Sequence, residues 1–364
     1  MNDRLREANH IEVLTLMDNY ADVLLGNTKV VRRANRLKNG EIARDTLVSE
    51  HGLSLLVTVR GGHRAHTILF DTGYSAIGVP HNMECLGLNP EDIEAIVLSH
   101  GHMDHLGSLH VILEKVRRPM PVLVHPDAFV SSRYLTRKDG GRDRFPVMLN
   151  RREIENRGGQ IRETAAPTLL CEDMILVSGE VERTTPFEKG MPHAVMEKDG
   201  RLEKDPIRDD QALFMLLEGK GLVVIGGCSH AGIVNTVRYG KKITGAQRVH
   251  AVLGGFHLAG PLFEPILEDT LEALKAEAPD VVVPMHCTGG TPFSAFRWPF
   301  PPLSCLTVWG LPTGFPPNPG PDGKAQGFPG RIPFVAGKGG QAGGGYRKAQ
   351  GAVAAAACEG RPEP

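Results

Sequence analysis

The chain has no CxxC pair, no block of like charge and no apolar run long enough to cross a bilayer, and each absence removes a class of protein. Without paired thiolates a cysteine-rich structural zinc site is excluded. The six cysteines (85, 171, 228, 287, 305 and 358) are scattered through a chain too long to need covalent staples, so thiols rather than disulfides are expected. With 41 basic against 42 acidic residues there is no electrostatic footprint for nucleic acid or an acidic membrane, and neither partner is expected. No stretch approaches the roughly eighteen apolar residues of a spanning helix, and the start, Met1 to His10, lacks an apolar h-region. A cytoplasmic protein is expected. The GxSxG elbow of serine hydrolases is missing, and the pairs Gly226-Gly227 and Gly254-Gly255 match neither GxxxxGK(S/T) nor GxGxxG, so serine-nucleophile hydrolysis and nucleotide binding have no support.

What the chain does have is Ser99-His100-Gly101-His102-Met103-Asp104-His105-Leu106-Gly107, directly behind the apolar run Ile93 to Leu98. Three imidazoles and a carboxylate packed so densely make sense around a cation, and nitrogen and oxygen donors suit zinc, iron or manganese. His100 and His102, two apart, can face the same way. Asp104 and His105 fall where Leu106, Leu109, Ile112, Leu113 and Val116 begin a helical repeat. Two ligand pairs so placed could hold two divalent ions, zinc foremost, roughly 3.5 to 4 Å apart. Further ligands are expected from three histidines that close apolar strands beside glycine: His230 in GGCSHAG, then His286 in VVPMHCTG, then His257 in LGGFHL. Asp71 in ILFDTG is expected to orient a ligand histidine or a metal-bound water, the plainer alternative being a helix cap. Asp71 and Asp104 are therefore the candidate catalytic carboxylates, Asp104 also as a ligand. Asp18 and Asn19 hold a similar strand-end position, Cys228 fits either a thiolate ligand or a small buried hydrophobe, and Asp209 and Asp210 fit a turn.

Residues 1–290 are expected to form one domain of short strands and helices. Strands rich in Val, Ile and Leu are read at Ile11 to Met17, Leu53 to Val59, Thr67 to Phe70, Ala95 to Leu98, Pro121 to Val124, Met174 to Val177, Ala212 to Leu217, Gly221 to Ile225, His250 to Leu253 and Val281 to Val283. Helices fit at about 75–86, 105–117, 232–242 and 264–277. Early strands come in runs and later ones alternate with helices, which favours two sheets face to face with helices outside. Segments 127–170 and 184–210 are polar and read as long loops over the sheet edges. Residues 291–364 hold 13 prolines, 14 glycines and three acidic residues, a composition that cannot bury enough apolar surface to offset chain entropy. A disordered or out-of-frame tail is expected there.

ILFDTG, LSHGHMDHLG and the separated downstream histidines resemble, over residues 10 to 290, the metallo-β-lactamase-fold superfamily. Within it, LTLMDNYADVLL, EHGLSLLV, GEVERTTPFE, DDQALF, GCSHAGI, GGFHL and PMHCTG resemble the branch of 7,8-dihydropterin-6-yl-methyl-4-(β-D-ribofuranosyl)aminobenzene 5'-phosphate synthases. The resemblance implies an α+β fold, a four-layer αββα sandwich with metals in a cleft at the upper edge of the sheets. His100 and His102 would bind one metal and Asp104 and His105 the other, with His230 and His286 completing the shells. The chain departs from the pattern twice. The strand that usually ends in a bridging aspartate ends here in GGCSH, so Cys228 or His230 stands in its place, with the role of His257 left open. The helix and closing strand that follow the HCTG-like segment in relatives have no evident counterpart. The implied activity is a metallohydrolase-like reaction on a small-molecule substrate, or, in the synthase-like version, transfer of a dihydropterin from its diphosphate to an arylamine, with basic residues of 133–152 or Arg183 holding phosphates. Alternatives from other classes are a catalytically inert metal-binding or sensor protein and a nuclease of the same fold.

Overall fold

Successive side chains of a strand face opposite sides of its sheet, and in the computed structural model of this chain both sides are buried. Ile68 and Phe70 enter one apolar cluster while Leu69 between them enters another. The same split separates Val97 from Ile96, Leu123 from Val122, and Val223 and Ile225 from Leu222 and Val224. Strands apolar on both faces need cover on both. The three clusters supply it: one between two sheets, and one beneath the helices on each outer face, giving four layers in the order helix, sheet, sheet, helix. The structure describes residues 5–296, except 23, 25, 26, 28–30, 35, 36 and 39, together with 311–313. All of these lie in one compact unit, Met1–Pro317.

The first sheet runs Gly159–Glu163, Met120–Val124, Ala95–Val97, Arg64–Phe70, Ser54–Gly61, His10–Met17 and Leu311–Thr313. The second runs Thr168–Leu170, Ile175–Val177, Ala212–Leu217, Gly221–Gly226, Val249–Gly255 and Val281–Met285, with Glu7–Ala8 alongside Ala212–Leu217. Along its main path each sheet is antiparallel on one side and parallel on the other, and the short Glu7–Ala8 runs parallel to Ala212–Leu217. Parallel neighbours need crossovers, and helices provide them: Leu109–Lys115 leads from Ala95–Val97 to Met120–Val124, and Ile233–Thr244 leads from Gly221–Gly226 to Val249–Gly255. The strands that share a direction therefore end at a common edge, where the loops gather.

The ten expected strands and four expected helices are present, with boundaries shifted by a few residues. The two polar segments differ from expectation. Arg133–Thr136, Arg142–Arg144, Ala194–Lys198 and Arg201–Lys204 pair into a four-stranded antiparallel sheet, so what reads as two loops is one small structure. A helix, Arg151–Asn156, was also missed, and strands within 159–170 extend both main sheets. Most of the expected tail lies outside the described residues. Its described parts are ordered elements: the helix Gly290–Phe296 runs across the expected boundary at 290, and Leu311–Thr313 pairs with His10–Met17, in the places of a helix and a closing strand.

Candidate metal centre

Every predicted ligand follows a strand end at that common edge. Asp18 follows His10–Met17, Asp71 follows Arg64–Phe70, and His100 to His105 follow Ala95–Val97; Cys228 and His230, His257 and His286 follow the last three strands of the second sheet. The backbone is forced there. Asp71, Ser229, His257 and His286 have φ of 61°, 54°, 46° and 48°, a left-handed region that side chains other than glycine rarely adopt and that clusters at functional sites. The halves also meet closely. A Cβ on Gly227 would stand 2.2 Å from Ser99 Oγ, so only glycine lets the second sheet reach the histidine loop.

The structure brings the predicted residues together in two adjoining groups. His100 Nε2 lies 3.0 Å from His102 Nδ1, which lies 3.2 Å from His230 Nε2. His105 Nε2 lies 3.7 Å and His286 Nε2 3.2 Å from Asp104 Oδ2. Cys228 Sγ, 3.2 Å from His105 Nε2, belongs to both: one donor atom each from Asp104, His105, Cys228 and His286, and one each from His100, Cys228 and His230, lie within 4.8 Å of one another. His257 stands beside His230, ring centroids 4.3 Å apart, and forms a third donor group with Cys228 and Cys287.

Electrostatics fit a cation. Burial, then neighbouring imidazoles, hold His100 and His230 well below the usual histidine range, and burial with Arg133 pushes His102 down to about 4. Burial favours the neutral form of these rings, whose facing nitrogens can share either a proton or a cation. Nδ1 of His230 and of His257 is buried with no hydrogen-bond partner. Asp104 remains ionised: burial opposes its charge, but His105 and His286 outweigh it and hold it well below the carboxylate range. His105 goes the other way. Burial lowers it, yet Asp71 and Asp104 raise it to about 9. Neutral nitrogens on His100, His102 and His230, the Asp104 carboxylate and a buried thiol form a donor set for borderline divalent ions, His105 joining it once a cation displaces its proton, and the residues fit the metals the sequence implies.

A surrounding frame holds these donors. Asp71, fully buried, spends one oxygen on the Ser99 N–H (2.7 Å) and the other on His105 Nδ1 (2.7 Å), which makes it a positioning residue. Asp18 and Asn19 do the same for His286: Asp18 Oδ1 accepts its backbone N–H at 2.8 Å and Asn19 Oδ1 lies 3.0 Å from Nδ1. Asp209 and Asp210 do more than bound a turn. Asp209 accepts the Gly101 N–H at 2.8 Å and is gripped by the buried Arg133, Asp210 accepts the Ala231 N–H at 2.8 Å, and Gln211 Nε2 donates to Leu98 O at 2.8 Å. One tripeptide thus ties both ligand loops together.

Sequence reasoning also missed His51, whose Nε2 lies 3.5 Å from Asp104 Oδ2, and Phe145, which stacks on His102 with centroids 4.7 Å apart. His51 lies in the segment EHGLSLLV, whereas nothing in a polar loop marks Phe145. Arg183, offered as a phosphate holder, donates instead to Pro206 O. Beside His230 and His257 opens a cavity of about 180 Å³ walled by Phe187, Phe256, Leu262, Phe263 and Ile266, with exposed Lys189 on its lining.

Residues 50–242 match the family model of the metallo-β-lactamase superfamily, and the chain belongs to that superfamily. Over 244 residues, 66% of this chain and 82% of the relative, it is 35% identical to 7,8-dihydropterin-6-methyl-4-(beta-D-ribofuranosyl)-aminobenzene-5'-phosphate synthase of Methanocaldococcus jannaschii. An uncharacterized protein of the same organism is 33% identical over 242 residues, 66% of this chain and 85% of its own. Among solved structures, Tm1679, a metal-dependent hydrolase of the beta-lactamase superfamily, shares the fold with a TM-score of 0.60 at 24% identity, covering 83% of this chain and 98% of its own. The chain is a metallo-β-lactamase-fold enzyme with the divalent-metal chemistry that fold implies. Among the described residues no helix is long and apolar enough to cross a membrane.

Proposed function

We propose that this enzyme binds two divalent cations, zinc foremost, and uses them on a small phosphorylated aromatic substrate, as a transferase of the dihydropterin type. The observation that carries this reading is the pair of donor groups sharing Cys228 Sγ, with His100, His102 and His230 on one side and Asp104, His105 and His286 on the other. Bound there, the ions would supply Lewis-acid stabilisation of negative charge on a phosphate leaving group or an attacked oxygen. The chain's own residues do the rest. Asp71 and the Asp18–Asn19 pair fix the rings of His105 and His286, so the donors are preorganised. The aromatic wall of the cavity beside His230 suits a flat ring, and Lys189 suits a phosphate at its margin. In the transfer, the arylamine nitrogen bonds to the pterin methylene carbon as the bond from that carbon to the diphosphate oxygen breaks, and the amine proton passes to water. The name of the 35% identical relative supports the same substrate class.

The test is elemental analysis of the purified chain together with a substrate panel of the hydroxymethyl-dihydropterin diphosphate with its arylamine partner, a lactone and a phosphodiester. Two metals per chain and release of diphosphate with the coupled product are expected. Two metals with hydrolysis and no coupled product would replace the transferase reading with a hydrolase. Metal without turnover of any kind would leave a binding protein.

A further inference from the structure

At the opposite end of the sandwich a second set of donors faces the gap between the sheets. His66 lies five residues before Asp71 in the same strand direction, about 16 Å away at roughly 3.3 Å per residue. It shares its face with Ile68 and Phe70, so its ring points toward the second sheet. It is 4% exposed at its side chain; Nδ1 is 2.8 Å from Glu94 Oε2, and Nε2 is buried without a hydrogen-bond partner. Cys171 comes from the second sheet, in the turn between Thr168–Leu170 and Ile175–Val177, and is a partly buried thiol. One donor atom each of His66, Glu94 and Cys171 lies within 4.8 Å of the others, and Glu172 Oε1 lies 3.7 Å from His66 Nε2. Arg64 pairs with that same oxygen and Arg6 with the other.

We infer that His66, Cys171 and Glu94 form a structural site for a borderline divalent cation of the zinc class, separate from the candidate centre. An imidazole, a thiol and a carboxylate are the donor types zinc takes. Ligands about 2.0 to 2.3 Å from a tetrahedral ion stand roughly 3.3 to 3.8 Å apart, inside the 4.8 Å that bounds these donor atoms. The arrangement has a mechanical consequence. His66 belongs to the first sheet, Glu94 immediately precedes its strand Ala95–Val97, and Cys171 lies in a turn of the second, so an ion here would staple the two halves at their base. That turn is already set: Cys171, Glu172 and Asp173 have φ of 56°, 52° and 67°, and Asp173 O accepts the Arg6 N–H at 2.7 Å. Burial, with Glu94 near, pushes the thiol up to about 12, so a cation must displace its proton to use the sulfur.

The experiment uses the full chain stripped of metal and titrated with Zn²⁺ alone. Bound zinc is counted at equilibrium, and the alkylation rate of each cysteine is followed by peptide mapping. Zinc should slow alkylation of Cys171 at least about tenfold, and Cys171→Ser and Glu94→Gln should each bind one zinc fewer than the wild type. In Cys228→Ser the protection of Cys171 should persist, which separates this site from the centre at the other edge. The inference is overturned if Cys171 alkylates at the same rate with and without zinc. Equal zinc counts in the wild type and both variants overturn it too.

Discussion

Cys228 occupies the position at which the two donor groups touch, and its chemistry decides what the centre holds. Burial pushes its thiol up, so a cation must displace a proton to use the sulfur. If the sulfur bridges, Cys228→Asp keeps a shared anionic donor and both metals, whereas Cys228→Ala removes it from both groups. Elemental analysis after dialysis should find two metals per chain in the first variant and one or none in the second. Asp71 tests positioning without ligation. Asparagine in its place keeps the size but loses the charge that holds the His105 ring, and metal affinity should fall about 10–100-fold, the usual cost of losing such a partner, with circular dichroism unchanged. A wild-type affinity in Asp71→Asn would remove Asp71 from the site's design.

At the level of elements, polar side chains have replaced ordinary capping. The helix Ile233–Thr244 starts with no cap of its own; Glu188, from a distant loop, accepts the Val234 and Asn235 N–H groups at 2.9 and 2.8 Å. Glu188→Ala orphans both, and should cost about 1–3 kcal/mol in urea unfolding while leaving the metal count unchanged. Arg133 is the harder case, since it neutralises Asp205 and Asp209 in a buried trio. Removing it as Arg133→Ala leaves two uncompensated carboxylates, at a cost of about 3–5 kcal/mol. Asp209 titrates accordingly: burial would raise it, but Arg133 holds it below 3.8. A lowered folded value means that its contribution is present above pH 3.8 and lost as pH falls through the lower value. These frames explain what the sequence made legible. The apolar periods of strands such as Gly221–Gly226 and the density of HxHxDH are local signals, readable in a window of a few residues. The pairing of Arg133–Thr136 with Ala194–Lys198, the stacking of Phe145 on His102 and the work of Asp209 are contacts between remote polar segments, which carry no period to read.

The whole molecule is two sheets whose edges supply different ligands, and this makes metal content a property of the fold. Asp104 and His105 come from loops of the first sheet, Cys228, His230 and His286 from the second, so each bound cation ties the halves across the inter-sheet core. An ion that binds only the folded arrangement stabilises it by about 2.7 kcal/mol at a free concentration of 100 times its dissociation constant. At roughly 2–4 °C per kcal/mol for a domain of this class, removal of two such ions should lower Tm by about 10 °C or more. Calorimetry of the metal-loaded chain before and after chelation checks this. His102→Ala, which takes one donor from the first group, should lose roughly half of that shift and most of the turnover. If chelation leaves Tm in place while activity disappears, the donors are preorganised by Asp71, Asp209 and the Asp18–Asn19 pair alone, and the protein frame rather than the ions holds the two halves together at that edge.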